Sequence, residues 1–200
     1  MPSRTDSAPA PGAKDRILES AIFLMRQSGL SGAGINQILV HSGAPKGSMY
    51  YYFPGGKLQV ASEALTLYGH RVAEAFDTVL SSKKKPGDKI RALFNFVADR
   101  LEKGRFEQSC AAGAVALDLQ TEVADIQPVV ANVISSWRTV IARHLPMRTR
   151  ALRESFAGLV ISAIEGAYIL GRAERSKNPF LEAGKWLALL VGNETASVDR

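Results

Sequence analysis

Apolar side chains recur at Ile17, Ala21 and Met25, and again at Leu18 and Ile22, in the three- and four-residue steps of an amphipathic helix. The pattern predicts a helix from about Ala13 to Ser28, stopped by Gly29. After the glycine-containing stretch Leu30 to Gly34, short helices are predicted over Ile35 to Ser42 and Lys46 to Phe53. Gly43-Ala44-Pro45 breaks the first and Pro54-Gly55-Gly56 the second. Two helices of two turns each, around a short turn containing Gly, have the outline of a helix-turn-helix.

Beyond Lys57 the pattern lengthens. Ala61, Leu65, Tyr68, Val72, Phe76 and Val79 step by fours and threes through five turns and predict one long helix. Further helices are expected at roughly Gly87–Lys103, Gln108–Leu119, Gln127–His144, Thr149–Glu174 and Pro179–Gly192. Their breaks are Lys83-Lys84-Lys85-Pro86, Gly104, the polar Thr121–Asp125 region, Pro146 and Ser176–Asn178. No alternating strand pattern competes and no internal repeat is found, so the fold class is all-α: a three-helix head followed by a helical bundle. Residues 1–12, rich in Pro, Ala and Ser, are expected to be a disordered tail.

Composition narrows the class. Of 200 residues, 46% are hydrophobic and 22% charged, near the average of globular proteins, which argues against disordered and fibrous classes. No run of eighteen apolar residues occurs and the N-terminal stretch lacks the apolar core of a secretion signal, so no membrane association is expected and a cytoplasmic protein is the default. The one cysteine, Cys110, rules out an internal disulfide, and the histidines at 41, 70 and 144 are far apart, so neither a metal nor another cofactor is expected. The net charge of +6 is unevenly spread. Lys14 to Lys57 hold five basic residues against two acidic, whereas residues 58–200 hold nineteen against sixteen. A basic front end is the electrostatic footprint expected for phosphate.

Within INQILVHSGAPKGSMYYYFPGGK, Ile35, Ile38 and Leu39 offer an inward stripe, Gly43 tolerates a positive φ at the turn, and Pro45 suits the start of the second helix. That helix then presents Lys46, Gly47 and Ser48 at its N-terminal end. A lysine reaches guanine O6 and N7 or a phosphate, Gly47 lets the backbone approach DNA, and Ser48 bonds a base or phosphate. Tyr50, Tyr51 and Tyr52 offer phenolic hydroxyls to phosphates, and Lys57 adds charge beside the free N–H groups of the next helix. Met49 and Phe53, four apart, should face inward. Three adjacent tyrosines fan over most of a helix, so one should be buried, and Tyr52 is the expected member. Each tyrosine or lysine taken singly is also compatible with core, turn or solvated charge.

These residues resemble the N-terminal signature of the TetR family of transcriptional regulators over about Lys14 to Leu65, through the Lys-Gly-Ser-x-Tyr-x-x-Phe core at Lys46, Gly47, Ser48, Tyr50 and Phe53. The resemblance implies that Lys46, Gly47 and Ser48 lie against bases and Tyr50, Tyr51 and Lys57 near phosphates of a double-stranded DNA operator. Two departures are Gly34, where a Ser or Thr often caps the helix, and Tyr51, where His is common. A Gly in place of a capping side chain costs only a few tenths of about 1 kcal/mol. The segments at Phe106–Leu119 and Ile164–Ser176 resemble the LmrA/YxaF subgroup, which implies that residues 59–200 form an effector-binding and dimerisation domain behind a DNA-binding domain at 13–58.

Gly158, Ser162 and Gly166 form a smooth stripe four residues apart. Each interior Gly costs about 1 kcal/mol relative to Ala, so the pair suggests close approach of another helix. With Phe180, Leu187 and Leu190 the stripe is a candidate homodimer interface, tight packing within one subunit being the alternative. Phe94, Phe96, Trp137, Tyr168 and Trp186 are candidates for the wall of a pocket holding a small-molecule effector, or simply core. Asp118 and Glu165 lie in apolar runs, where a carboxylate needs a partner. Cys110 joins the pocket candidates, with a small buried hydrophobe as the alternative.

The leading expectation is a repressor released from a palindromic operator by its effector. Alternatives are a helical protein-binding adaptor and a helical enzyme. No HExxH, GxSxG or GxxxxGK[ST] motif supports the enzyme, so no catalytic residue is assigned.

Overall fold

The computed structural model describes residues 12–119 and 125–196, with side chains as far as Gly192. The expected tail at 1–12, except for Gly12, and most of the Thr121–Asp125 break lie outside these. Among the described residues all regular structure is helical: α1 (Ala13–Ser28), α2 (Ile35–Ser42), α3 (Lys46–Tyr52), α4 (Gly56–Ser81), α5 (Pro86–Lys103), α6 (Ala111–Leu117), α7 (Gln127–Arg143), α8 (Arg150–Glu174) and α9 (Asn178–Ala196).

The stops follow backbone chemistry. Gly43 ends α2 at φ 60°, a left-handed conformation that costs glycine little. At the other end of α2, the Gln37 side chain accepts a hydrogen bond from the Gly34 N–H at 3.1 Å and so supplies half of a capping box despite the missing cap side chain. α8 starts one residue later than its pattern suggested because Thr149 is the cap, its hydroxyl accepting from the Leu152 N–H. α6 is much shorter than the expected Gln108–Leu119. Ser109 gives its N–H and its hydroxyl to the Arg26 carbonyl instead of to a helix, and Cys110 is extended at the cap position.

α4 is the organising element, packed on α1, α5 and α7, while α5 and α8 both pack on α9. The buried side chains form one continuous cluster from Ile17 in α1 to Val191 in α9. The expected division at residue 58 therefore falls in the first turn of α4, whose Val60, Ala61 and Ala64 are buried in that same cluster. Trp137 ties α7 to α4. Its Nε1 donates to the Gly69 carbonyl at 2.9 Å, and its ring meets Tyr68 edge-on, 6.0 Å between centroids. α5 and α9 approach so closely that a Cβ at Gly184 would lie 2.6 Å from the Cβ of Phe94. α8 has the length and mean hydropathy to cross a membrane, but it packs between α7 and α9 with Val160, Ile164 and Ala167 buried.

Candidate nucleic-acid interface and ligand cavity

The α2–α3 pair is anchored from beneath. Met49 and Phe53 are fully buried, so the i, i+4 edge of α3 is fixed against the core. Ile38 is buried and Ile35 and Leu39 pack partly against the same cluster. The turn is held by the Ser42 hydroxyl, which accepts from the Ala44 N–H, and by the Arg16 Nε, which donates to the Ser42 carbonyl. This leaves Lys46 and Gly47 exposed and Ser48 half-buried, with open space around the Gly47 Cα.

The tyrosines correct one expectation. Tyr50, Tyr51 and Tyr52 are 53%, 79% and 38% exposed, so none is the buried member. In a seven-residue helix Met49 and Phe53 already occupy the inward edge, and positions 50–52 sweep the outer arc. Tyr52 rests edge-on between Tyr51 and Phe53. Lys57 lies half-buried in the first turn of α4, where Gln59 receives the Gly55 N–H and donates to the Tyr52 carbonyl. Behind the pair, Phe23 stacks on His41 at 4.6 Å, a contact between α1 and α2 that neither run announces alone.

A cavity of about 250 Å³ opens between α1, α4, α5, α7 and α8. Phe96, Cys110, Trp137, Glu165 and Tyr168 all border it. Phe94 does not: it is fully buried against Gly184 of α9, two residues around the helix from Phe96. Trp186 is on the surface, 61% exposed. The pattern did not single out Tyr68, Arg26, Arg71 or Arg100 for this site, because they come from three helices that only packing brings together.

Burial pushes the Tyr68 and Tyr168 phenols up in pKa, so both remain neutral donors. Among the described residues neither hydroxyl has a hydrogen-bond partner, although both side chains are more than nine-tenths buried and border the cavity. Glu165 is raised by burial, opposed by a hydrogen bond from the Cys110 thiol. Burial, then the neighbouring Glu165, pushes the thiol up as well, which disfavours the reactive thiolate. At the rim Arg71 pairs with Glu19 at 2.5 Å, Arg26 Nε donates to the Ser109 carbonyl at 3.0 Å, and the Arg100 guanidinium lies over the Phe96 ring.

α6 spans from this cavity to the head. At its start the Cys110 Sγ accepts from the Gly113 N–H, and the Glu165 carboxylate occupies the space where Gly113 lacks a side chain. At its end Asp118 accepts two hydrogen bonds from Ser31, in the loop that leads into α2. Those bonds, backbone N–H first, hold the Asp118 carboxyl below the usual aspartate range.

On α8, Leu152, Leu159, Ile169 and Leu170 are exposed and lie along the face that carries Ser162. Among the described residues no neighbouring element lies within 4 Å of a Cβ placed at Gly166, whereas one at Gly158 would meet the Arg138 guanidinium at 3.6 Å. On α9, Trp186, Leu189 and Leu190 are exposed, but Phe180 and Leu187 are buried inside the protomer. Leu187 thus belongs to the intramolecular core, in a helix that packs on both α5 and α8. Among the described residues no group of three or more His, Cys, Asp or Glu could hold a metal ion.

An anchored helix-turn-helix with a basic, open N-terminal edge, set on a helical bundle with its own cavity, is the architecture of a transcriptional regulator. Residues 86–186 match the family described as "Transcriptional regulator LmrA/YxaF-like, C-terminal domain". The chain is 30% identical over 193 residues to the HTH-type transcriptional regulator YxaF of Bacillus subtilis (strain 168), covering 96% of this chain and 98% of that one. In fold it is similar to the regulatory protein TetR from Rhodobacter sphaeroides (TM-score 0.79, 18% identity, 88% of this chain and 97% of that one). It is similar also to a cysteine mutant of the TetR family regulator CifR solved with 26-base-pair operator DNA (TM-score 0.76, 16% identity, 90% and 97% covered). The chain belongs to the TetR family of transcriptional regulators, in its LmrA/YxaF-like group.

Proposed function

We propose that the chain acts as a homodimeric repressor that leaves a palindromic operator when a small molecule fills the cavity between α1, α4, α5, α7 and α8. The observation that carries the reading is the Lys46-Gly47-Ser48 edge, exposed at Lys46 and Gly47 and half-buried at Ser48, above a fully buried Met49 and Phe53, a rigid support for a solvent-facing recognition surface. In this reading residues 13–58 are the DNA-reading unit. Lys46, Gly47 and Ser48 meet base edges, and Tyr50, Tyr51 and Lys57 meet phosphates. CifR, of the same fold, was solved on operator DNA, and regulators of this family bind operators as dimers.

The exposed apolar residues of α8 and α9, with the open notch at Gly166, support a two-fold interface built from both helices. Ligand response follows from α6, which has one end against the cavity-lining Glu165 and the other bonded to Ser31. A ligand that displaces Glu165 or Cys110 shifts α6, and Asp118 transmits the shift to the head. Only a difference in ligand affinity between the DNA-competent and incompetent arrangements moves the equilibrium.

The test is fluorescence anisotropy on DNA from the upstream region of its own gene. Saturable binding at a palindrome, steeply weakened by salt, supports the reading; salt-insensitive binding, or a monomer at working concentration, sinks it.

A further inference from the structure

The rim and the interior of the cavity differ in chemistry. Arg26, Arg71 and Arg100 border it, and among the described residues only Arg71 of these has a carboxylate partner, Glu19. Arg26 spends its Nε on a backbone carbonyl, and Arg100 rests on a ring. The remaining acid, Glu165, is shifted toward its neutral form by burial, so positive charge is left in excess. Deeper in, Tyr68, Trp137 and Tyr168 present ring surfaces, and the two phenol hydroxyls, without partners among the described residues, are not sealed from the cavity their side chains line. Each offers a donor that an acceptor on a ligand can take up. The volume, about 250 Å³, lies just under the ~300–1,000 Å³ of drug-sized sites, so the occupant is small.

We propose that the cavity binds a small planar aromatic carboxylate, with its ring against Trp137, Tyr68 and Tyr168 and its carboxylate turned to Arg26 and Arg100. Flat walls select a flat occupant, since rings gain area and favourable edge or offset contacts with little ordering of the ligand. A guanidinium selects carboxylate through its planar fork of donors. The tyrosine hydroxyls then meet ring substituents that accept hydrogen bonds. The role of this molecule as effector rests on the repressor reading above; its chemistry rests on the cavity alone.

The experiment titrates the purified full chain by calorimetry with 1-naphthoate, with 1-naphthamide as the neutral isostere, and with octanoate as the flexible aliphatic acid. The expected result is one naphthoate per chain, at least tenfold tighter than either comparison compound. Arg100→Gln, at an exposed position outside the core, should weaken naphthoate at least tenfold and leave naphthamide unchanged. Absence of naphthoate binding overturns the proposal. So does naphthamide binding equally well, which removes the anion requirement, or octanoate doing so, which removes the ring. Operator anisotropy on the same samples separates the two claims. Naphthoate that binds without releasing DNA overturns the effector role and leaves the ligand chemistry standing, whereas intact DNA binding with no naphthoate bound overturns only the ligand chemistry.

Discussion

Asp118 clasps Ser31 across 87 residues of sequence, one carboxylate oxygen accepting from the backbone N–H at 2.5 Å and the other from the hydroxyl at 2.7 Å. It is joined by Gly29, where a Cβ would sit 3.1 Å from the same carboxylate. Together they fix the loop between α1 and α2 to the end of α6.

Asp118→Ala should therefore lower stability by about 1–2 kcal/mol, since hydrogen bonds to a charged group exceed neutral ones. A double-mutant cycle with Ser31→Ala, read by urea unfolding, should return a coupling of roughly 0.5–3 kcal/mol. Additive single effects would mean the clasp carries no energy.

Acid should loosen this joint. The folded pKa of Asp118 lies below its unfolded value, because of the Ser31 bonds, and that of Asp77 is likewise lowered by the hydrogen bond from His144. Such groups contribute stability that is complete above the unfolded aspartate pKa of about 3.9 and disappears as pH falls through the folded value. The urea midpoint should drop below about pH 4, and less steeply in Asp118→Asn. An identical acid limb in the variant would exclude Asp118.

Lys46→Ala and Lys57→Ala should each weaken operator binding, and each lost phosphate contact should reduce the salt slope by about 1. If Lys46 reads a base, its variant also relaxes preference at one operator position, by about 1–3 kcal/mol. Competition anisotropy with single-base operator variants reads both. Unchanged affinity in both variants would remove α3 from the interface.

Trp186→Glu and Leu187→Ala should separate assembly from folding. Trp186 is exposed, so its variant is expected to keep the thermal transition of the protomer and to become monomeric by sedimentation. Leu187 is buried, and its truncation should cost about 2–5 kcal/mol of stability. A dimeric Trp186→Glu would place the interface elsewhere.

Gly184→Ala tests the packing of α9. Alanine is the better helix former by about 1 kcal/mol, but its methyl would lie 2.6 Å and 2.9 Å from the Cβ and Cγ of Phe94, atoms that cannot swing away. Overpacking of this kind costs about 1–3 kcal/mol, so a lower melting temperature is expected.

The helices were legible in the sequence because each buries one face, and a 3.6-residue period records that face locally: Ile17, Ala21 and Met25 are all inside. Met49 and Phe53 were legible for the same reason, and with them the outward presentation of Lys46 and Gly47. What periodicity cannot state is which of two inward neighbours meets a void and which meets a helix. Phe94 and Phe96 lie on one helix, yet α9 covers the first and the cavity borders the second. Nor does it tell which apolar face a partner helix of the same chain has already taken, as α5 and α8 between them take that of α9, with Leu187 inside. The Asp118–Ser31 clasp and the Arg26, Arg71 and Arg100 rim were invisible for a related reason. Polar side chains carry no period, and their partners lie on elements far away in the chain. The sequence by itself determined the helices and the head, through local burial patterns; only the tertiary structure decided the cavity and the link from it to the head, because those depend on which faces meet.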